Sequence, residues 1–180
     1  PQITNLVPVL NSYWLMIHVS IITASYGFFS LGAILAIIAL WIIIFTNKAN
    51  ESKLRNTLSE ITIINEKTLE VGLFMLAIGT FLGGVWANES WGRYWGWDPK
   101  ETWALVSILV YTFVLHMRFI PALRDNLIFN IASMFAIWTI IMTYFGVNYY
   151  LSGLHSYAAG DPMPIPVFVY YLLALMLITA

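Results

Sequence analysis

Residues 11–46 read NSYWLMIHVSIITASYGFFSLGAILAIIALWIIIFT, and this run contains no Lys, Arg, Asp or Glu. Such a stretch is typical of a membrane helix, because the hydrocarbon core accepts apolar side chains and penalises charged ones. At about 1.5 Å per residue, a helix of this length exceeds the ~30 Å core. We therefore predict a first span over about 12–46 that tilts, bends near Gly27 or Gly32, or projects beyond the membrane.

The composition of the whole chain agrees with a membrane location. Of its 180 residues, 60% are hydrophobic and 9% are charged, and the mean hydropathy is +0.79. A soluble domain carries about 25% charged residues, so a soluble enzyme and a disordered chain are excluded. The net charge of -1 offers no basic footprint for nucleic acid. The chain has no Cys, which excludes disulfides, thiolate metal sites and covalent haem attachment to this chain.

Further apolar segments follow the first one. They cover about 71–87, 102–120 and 127–150, and a last one starts near Pro166. Helices are expected because lipid offers no partner for unpaired backbone groups. The predicted fold class is therefore all-α, a polytopic transmembrane helix bundle of about five spans that forms a single domain over 1–180. The run from Pro166 to Ala180 rises only about 22 Å as a helix, and the chain begins without Met, so we expect a fragment of a larger bundle.

The basic residues predict the orientation of the bundle. Six of the eight fall in two segments on one side, 47–67 and 117–126: Lys48, Lys53, Arg55, Lys67, Arg118 and Arg124. The other two, Arg93 and Lys100, lie in the segment 87–101 on the opposite side. Because basic loops stay in the cytoplasm, we predict that 47–67 is a cytoplasmic loop, in which a short polar helix is one alternative. The segments 1–11, 87–101 and 151–165 are then external.

The most distinctive stretch of the chain is 86–103, WANESWGRYWGWDPKETW, which holds five Trp and Tyr94. One interpretation is a belt of aromatic side chains at the membrane interface. A belt usually supplies one or two rings per helix end, which is fewer than this segment contains. The favoured interpretation is an external loop that forms an aromatic platform for a large, flat, apolar ligand, since indoles give extensive contact at low entropic cost.

Polar residues in the same stretch have two possible roles. Asp98 and Glu101 have the spacing of a capping box with Pro99 as the first helical residue, which predicts that a helix starts here. Arg93 and Lys100 are cations beside this motif. They pair either with the carboxylates of an anionic ligand or with the nearby Glu residues at 89 and 101, and the sequence leaves both alternatives open.

The chain contains three His residues, which are candidate ligands. His18 lies near the external end of the first span, and His155 lies in the external segment 151–165, so both share a side with the Trp-rich stretch. Two neutral imidazoles can ligate one haem iron from opposite sides; the alternative is two polar residues satisfied within the protein. His116 lies on the cytoplasmic half of the third span, where an ionisable group indicates a function unless a hydrogen bond across the bundle or snorkelling toward Arg118 explains it.

Several sequence motifs of the chain resemble those of a known family. WGRYWGWD (91–98) with PKETW (99–103) is similar to the tryptophan-rich WWD signature of membrane proteins that handle haem. The histidine contexts SYWLMIH, LHMR and GLHSYA, centred on His18, His116 and His155, resemble those of the CcsA (ResC) type of cytochrome c biogenesis protein. The resemblance extends from Tyr13 to about Pro166.

The resemblance implies a role for each candidate residue. His18 and His155 would be the external axial ligands of haem b, and His116 would belong to a transmembrane site where haem enters. Eight residues of the WWD segment would contact the haem: Trp86, Trp91, Arg93, Tyr94, Trp95, Trp97, Asp98 and Trp103. The segment would present the vinyl groups of haem to the CxxCH motif of apocytochrome c for thioether formation.

The resemblance also implies partners, a location and an alternative activity. The protein would lie in the bacterial inner membrane, or in the thylakoid membrane of a plastid, in contact with lipid and with a CcsB/ResB-type subunit. The family has further N-terminal helices, one with a second transmembrane His, and this chain lacks them. Haem lyase (holocytochrome c synthase) activity is expected only with those parts present, and the alternative is haem delivery without ligation.

Overall fold

The computed structural model describes residues 12–151, 153–155 and 164–180. The described helices are α1 (Tyr13–Phe45), α2 (Glu51–Trp91), α3 (Pro99–His116), α4 (Asn126–Ile141), α5 (Val147–Tyr150) and α6 (Val167–Thr179). A 3₁₀ turn, Met117–Phe119, extends α3, and a π-helical turn, Met142–Gly146, joins α4 to α5. The described ranges contain no strand, so the predicted all-α class is confirmed. The predictions for 1–11, and for all of 151–165 except 151, 153–155 and 164–165, lie outside the described residues.

The long helices confirm a polytopic membrane bundle. Four helical segments of the described chain are long and apolar enough to cross a membrane: Tyr13–Phe45, Glu51–Trp91, Pro99–Phe119 and Asn126–Tyr150. The fifth predicted segment is present as α6, whose 13 residues rise about 20 Å. That rise is less than the ~30 Å hydrocarbon core.

The structure differs from the prediction of a loop over 47–67. Only 46–50 separates α1 from α2, and residues 51–67 form the first turns of the 41-residue helix α2. The segment carries helix formers, and its inward positions recur with helical spacing at Leu54, Leu58, Thr62 and Asn65. Polar residues at two of those positions conceal the stripe from a search for apolar runs. A helix of this length spans about 62 Å, which is twice the hydrocarbon core.

The structure also shortens the Trp-rich loop. α2 continues to Trp91 and α3 begins at Pro99, so only 92–98 is non-helical within the stretch 86–103. Gly92 ends α2 with φ 71°, a left-handed conformation that suits glycine, and its N–H donates to the Asn88 carbonyl at 2.8 Å. The two ends of the stretch, Trp86 and Trp103, are therefore held rigidly by helices.

Glycines on α2 allow α1 to pack closely along it. A Cβ atom built on Gly79 would lie 2.6 Å from Ile22 Cγ1 and 3.3 Å from the backbone nitrogen of Ile22. A Cβ atom on Gly72 would lie 3.0 Å from the ring of Phe29. Small residues at helix contacts let backbones approach within a membrane, where no hydrophobic driving force draws helices together. This contact fixes the register between α1 and α2.

A buried polar network joins α2 to α4 at the far end of the bundle. The Asn65 side-chain amide donates to Asn130 Oδ1 and to Ser133 Oγ, both at 3.1 Å. Asn130 Nδ2 in turn donates to Thr62 Oγ1 at 3.0 Å. All four side chains are fully buried. Because each polar group finds a partner, their burial costs little and specifies how the two helices pair.

The two ends of the bundle differ in chemistry. At one end Arg118 Nε donates to Glu66 Oε2 at 3.1 Å and Arg118 Nη1 donates to Asn126 Oδ1 at 3.1 Å, which ties the end of α3 to α2 and to the start of α4. We call this the basic end, after Arg118, Arg124 and the cations of 48–67. The opposite end, with Trp86, Trp91 and segment 92–98, is the tryptophan end.

The α1–α2 contact predicts opposite effects for two glycine substitutions. Gly79→Ala places a methyl group against Ile22, and we expect a loss of about 1–3 kcal/mol of stability from overpacking. Gly27 on α1 has nothing within 4 Å of its would-be Cβ, so Gly27→Ala adds helix propensity of about 1 kcal/mol without a clash. Thermal unfolding of the full protein in detergent, followed by helical circular dichroism, should give a lower midpoint for the first variant only. Equal midpoints for both variants would contradict the packing.

Candidate functional site

A cavity of about 170 Å³ opens among the helices at the tryptophan end. Its wall is mostly apolar and comes from α1, α2, α3 and the π-helical turn, together with the segment 153–155. Two imidazoles, those of His18 and His155, line the cavity. The sequence predicted that these two residues share one side of the membrane, and the structure brings them into one cavity.

His18 lies in the second turn of α1 and is 5% exposed. Its Nδ1–H donates to the Trp14 carbonyl at 2.7 Å. Because a carbonyl only accepts, the proton is on Nδ1 and Nε2 keeps its lone pair when the ring is neutral. Gly83 of α2 lies against the other side of the ring, since a Cβ there would be 3.3 Å from His18 Cδ2. The imidazole is therefore held in one orientation and one tautomer.

His155 is held by a carboxylate. Its Nδ1 donates to Asp98 Oδ2 at 3.0 Å, and the backbone N–H of Leu154 donates to Asp98 Oδ1 at 2.6 Å. Gly153 packs directly on the same carboxylate, leaving no room for a side chain. A carboxylate that accepts from Nδ1 orients a histidine and raises the basicity of Nε2, as it does for many metal-ligating histidines.

Burial lowers the pKa of His155, and the hydrogen bond and negative charge of Asp98 oppose that effect. The net direction is downward from the ordinary value of 6.5. The imidazole is therefore neutral at pH 7, and its Nε2 lone pair is available to a metal.

The same carboxylate starts α3. Asp98 accepts from the Lys100 backbone N–H at 3.2 Å, and Glu101 Oε2 accepts from the backbone N–H of Asp98 at 3.2 Å and of Gly96 at 2.7 Å. The predicted capping box is confirmed. The sequence did not indicate the additional bonds to Leu154 and His155, because they come from a segment far along the chain.

Two tryptophans connect the histidines. Trp86 is fully buried, and its ring centroid lies 5.2 Å from that of His18 and 5.5 Å from that of His155. Trp91 lies 4.8 Å from Trp86 and meets His155 edge-on at 5.0 Å. These four rings form one contiguous cluster, which we call the His–Trp cluster.

The remaining residues of the stretch take different positions. Tyr94 and Trp95 line the cavity. Trp97 is 70% exposed at φ 57°, a strained conformation for a bulky residue, and packs edge-on against Trp95 at 5.8 Å. The Arg93 guanidinium lies over Gly96, and Trp103 lies on α3 outside the cavity lining. Of the predicted platform, Trp86, Tyr94 and Trp95 thus line the cavity, and the other residues lie outside its lining.

His116 lies at the basic end, away from the cavity. It is exposed in the last turn of α3, and its Nδ1–H donates to the Thr112 carbonyl at 2.7 Å. Its ring also meets Phe119 at 5.7 Å. The hydrogen bond is within α3, so it is neither the bond across the bundle nor the contact with Arg118 that the sequence left open.

Several residues that line the cavity were not predicted from the sequence. Tyr26, Thr143 and Tyr144 line the cavity from α1 and the π-helical turn, where no motif marks them. Lys100 also lines it, and its Nζ donates to Asn148 Oδ1 at 2.8 Å rather than to Glu101, whose Oε2 is used by the capping box. The sequence showed Lys100 as a cation beside the capping motif. It did not show that the side chain of Lys100 points toward Asn148.

Comparison with known proteins identifies the family. A family model described as cytochrome c assembly protein matches residues 1–155. The chain belongs to this family. It is 54% identical over 164 residues to protein NrfI of Wolinella succinogenes, covering 91% of this chain and 18% of NrfI. The cytochrome c biogenesis protein CcsA of Chlamydomonas reinhardtii is 39% identical over 159 residues, which cover 87% of this chain and 44% of CcsA.

Family membership confirms the resemblance that the sequence motifs predicted. The CcsA of Guillardia theta is 38% identical over 172 residues, 84% of this chain and 56% of that protein. The chain therefore spans from about a fifth to just over half of the length of these relatives.

The donor set of the cavity fits haem. Among the described residues, no three or more His, Cys, Asp or Glu side chains cluster to hold a bare metal ion. His18 and His155 supply two imidazoles whose Nδ1 atoms are bonded and whose Nε2 atoms bond no other described residue, and two further nitrogen ligands are what an iron with four porphyrin nitrogens still requires. The surrounding indoles suit a flat apolar macrocycle.

The dual bonding of Asp98 predicts the behaviour of the His155 segment. Asp98→Ala removes the acceptor of the Leu154 N–H, so the rate of deuterium exchange at this amide should rise about tenfold or more. This factor corresponds to the loss of one hydrogen bond to a charged group. Asp125→Ala is the matched control, because Asp125 caps α4 in the same way but bonds only Leu127 among the described residues. Hydrogen exchange read by mass spectrometry measures both. Unchanged uptake in Asp98→Ala would show that this carboxylate does not hold the segment.

Proposed function

We propose that this protein acts in cytochrome c biogenesis by holding haem b at the tryptophan end and presenting it to apocytochrome c. The observation that carries the proposal is the convergence of His18 and His155 on one cavity, with the indoles of the His–Trp cluster between and beside them. Family membership supports the same role, since relatives named CcsA are cytochrome c biogenesis proteins.

The residues of the site have separable tasks. Nε2 of His18 and Nε2 of His155 would hold the haem iron, and the carbonyl of Trp14 and the carboxylate of Asp98 hold the two imidazoles by their Nδ1 atoms. Trp86 and Trp91 would exclude water from the ligands and contact the macrocycle. Bound haem supplies the vinyl groups to which the CxxCH thiols add as thioethers. The protein's contribution is therefore positioning.

The orientation and partners belong to the same proposal. The cations of the basic end favour the cytoplasmic side, and the tryptophan end would then lie at the outer face of a bacterial inner membrane or the corresponding face of a thylakoid membrane. Exposed His116 at the basic end would serve a transmembrane haem entry site. Apocytochrome c and a CcsB/ResB-type subunit would be the partners, with the bundle surrounded by lipid.

An alternative function uses the same cavity without bond formation. The protein would receive and deliver haem while another protein joins it to the apocytochrome. The cavity geometry fits both functions, because holding the ring and orienting its edge are common to them. A third role, in which the aromatic residues only anchor a structural subunit, leaves the buried pairing of His155 with Asp98 without a purpose.

The ligand roles predict how substitution of each histidine changes haem binding. His18→Gly and His155→Gly should each lower haem retention in the full-length protein and replace the spectrum of an iron with two imidazole ligands by that of one with a single imidazole. Added free imidazole should restore the original spectrum in both variants. Optical and electron paramagnetic resonance spectra of the purified protein measure this. Haem retention and spectra identical to wild type in both variants would refute the axial assignment.

His116→Gly provides the internal comparison. His116 lies at the basic end, so its loss should leave the spectrum of the haem at the tryptophan end unchanged even where total loading falls.

Absence of haem from the full-length protein purified with its partner would favour the structural role.

Thioether formation separates the two haem functions. The full-length protein with its partner subunit, loaded with haem and given a reduced CxxCH peptide, should yield a covalent haem–peptide product detectable by mass spectrometry. A CxxSH peptide should carry at most one thioether bond, because only one thiol remains. Haem transfer to the peptide without any covalent product would favour delivery alone.

A further inference from the structure

Lys100 places an ammonium group in the wall of the cavity. The residue lies in the first turn of α3, is half-buried, and lines the same cavity as His18 and His155. Its Nζ donates to Asn148 Oδ1 on α5 at 2.8 Å. This bond holds the ammonium between α3 and α5, with a neutral amide as its partner.

The nearby carboxylates of Asp98 and Glu101 accept their hydrogen bonds from groups other than the ammonium, and Asp98 acts on the ammonium of Lys100 only through its charge. Asp98 accepts from the backbone N–H of Lys100 and of Leu154 and from the ring of His155. Glu101 Oε2 accepts from two backbone N–H groups in the capping box. The salt bridges of the described chain, Lys67–Glu70 and Arg118–Glu66, do not include Lys100, and neither does the hydrogen bond between His155 and Asp98. The pairing with Glu101 that the sequence left open is thus not formed.

A half-buried cation beside an apolar wall gains from an anionic partner. Removal from water weakens the hydration of the ammonium, and a neutral amide replaces only part of it. A carboxylate would complete the site with a charge-assisted hydrogen bond, which is about twice as strong as a neutral one. Arg93 does not serve this purpose in the cavity, because its guanidinium lies over Gly96 outside the lining.

We propose that Lys100, held by Asn148, is the binding site for a carboxylate of the ligand that occupies this cavity. The inference rests on the proposed function, in which the ligand is haem and the carboxylate is a propionate. Binding one propionate at α3 would restrict the orientation of the ring in the cavity, so Lys100 would be a positioning residue for the ring.

The experiment compares two ligands that differ only in the carboxylates. Full-length protein in detergent, as wild type or variant, is titrated with haem and with haem dimethyl ester, and both dissociation constants are measured from the optical spectra. For wild type we expect haem to bind about tenfold more tightly than the diester, the size of one hydrogen bond to a charged group. Lys100→Met should abolish this preference and leave diester binding unchanged, while Lys100→Arg should retain it.

Controls separate a local from a general effect. Lys67→Met removes a cation of the basic end and should keep the wild-type preference, whereas Asn148→Ala should reduce it. Diester binding by each variant shows that its cavity is folded. A preference for haem that persists in Lys100→Met would overturn the site at Lys100.

Failure of the carboxylate site and failure of the proposed function give different results. Wild type that binds both ligands equally, with the spectrum of two imidazole ligands, overturns the carboxylate site and leaves the proposed function standing. Wild type that binds neither ligand overturns both.

Discussion

The site depends on the hydrogen bonds that the carboxylate of Asp98 accepts. This carboxylate caps α3 through Lys100 N–H and holds the segment 153–155 through Leu154 N–H and the His155 ring. Its side chain is 4% exposed, so these bonds form where water offers little competition. A buried carboxylate that lost its partners would be costly, and this cost keeps the start of α3 and the histidine together.

Close packing of α1 against α2 positions His18, which supplies the other imidazole of the site. Gly79 and Gly83 let α1 lie directly on α2, so His18 meets α2 beside Gly83 and its ring lies tilted against that of Trp86. The polar network around Asn65 fixes α2 against α4 at the opposite end. Both contacts set the register of α2, so the depth of Trp86 in the bundle is determined by residues distributed along the whole helix.

The sequence predicted the helical class, the spans and the capping box, because hydropathy and capping are local properties. It missed the continuity of α2, since the inward stripe through Thr62 and Asn65 is polar. It placed His18 and His155 on one side but did not show that Asp98 holds His155, because no local pattern records a bond between distant segments. The direction of Lys100 depends on Asn148, and that contact too exists only in the folded chain.

The order in which the chain is synthesised follows from the position of His155. His18, Trp86 and the cap of α3 precede it, so the cavity walls from α1, α2 and α3 are made before the second imidazole emerges. Asp98 precedes segment 153–155 along the chain, so its carboxylate is synthesised before the two groups of that segment that bond to it. A chain interrupted before residue 155 therefore holds one imidazole of the pair, that of His18.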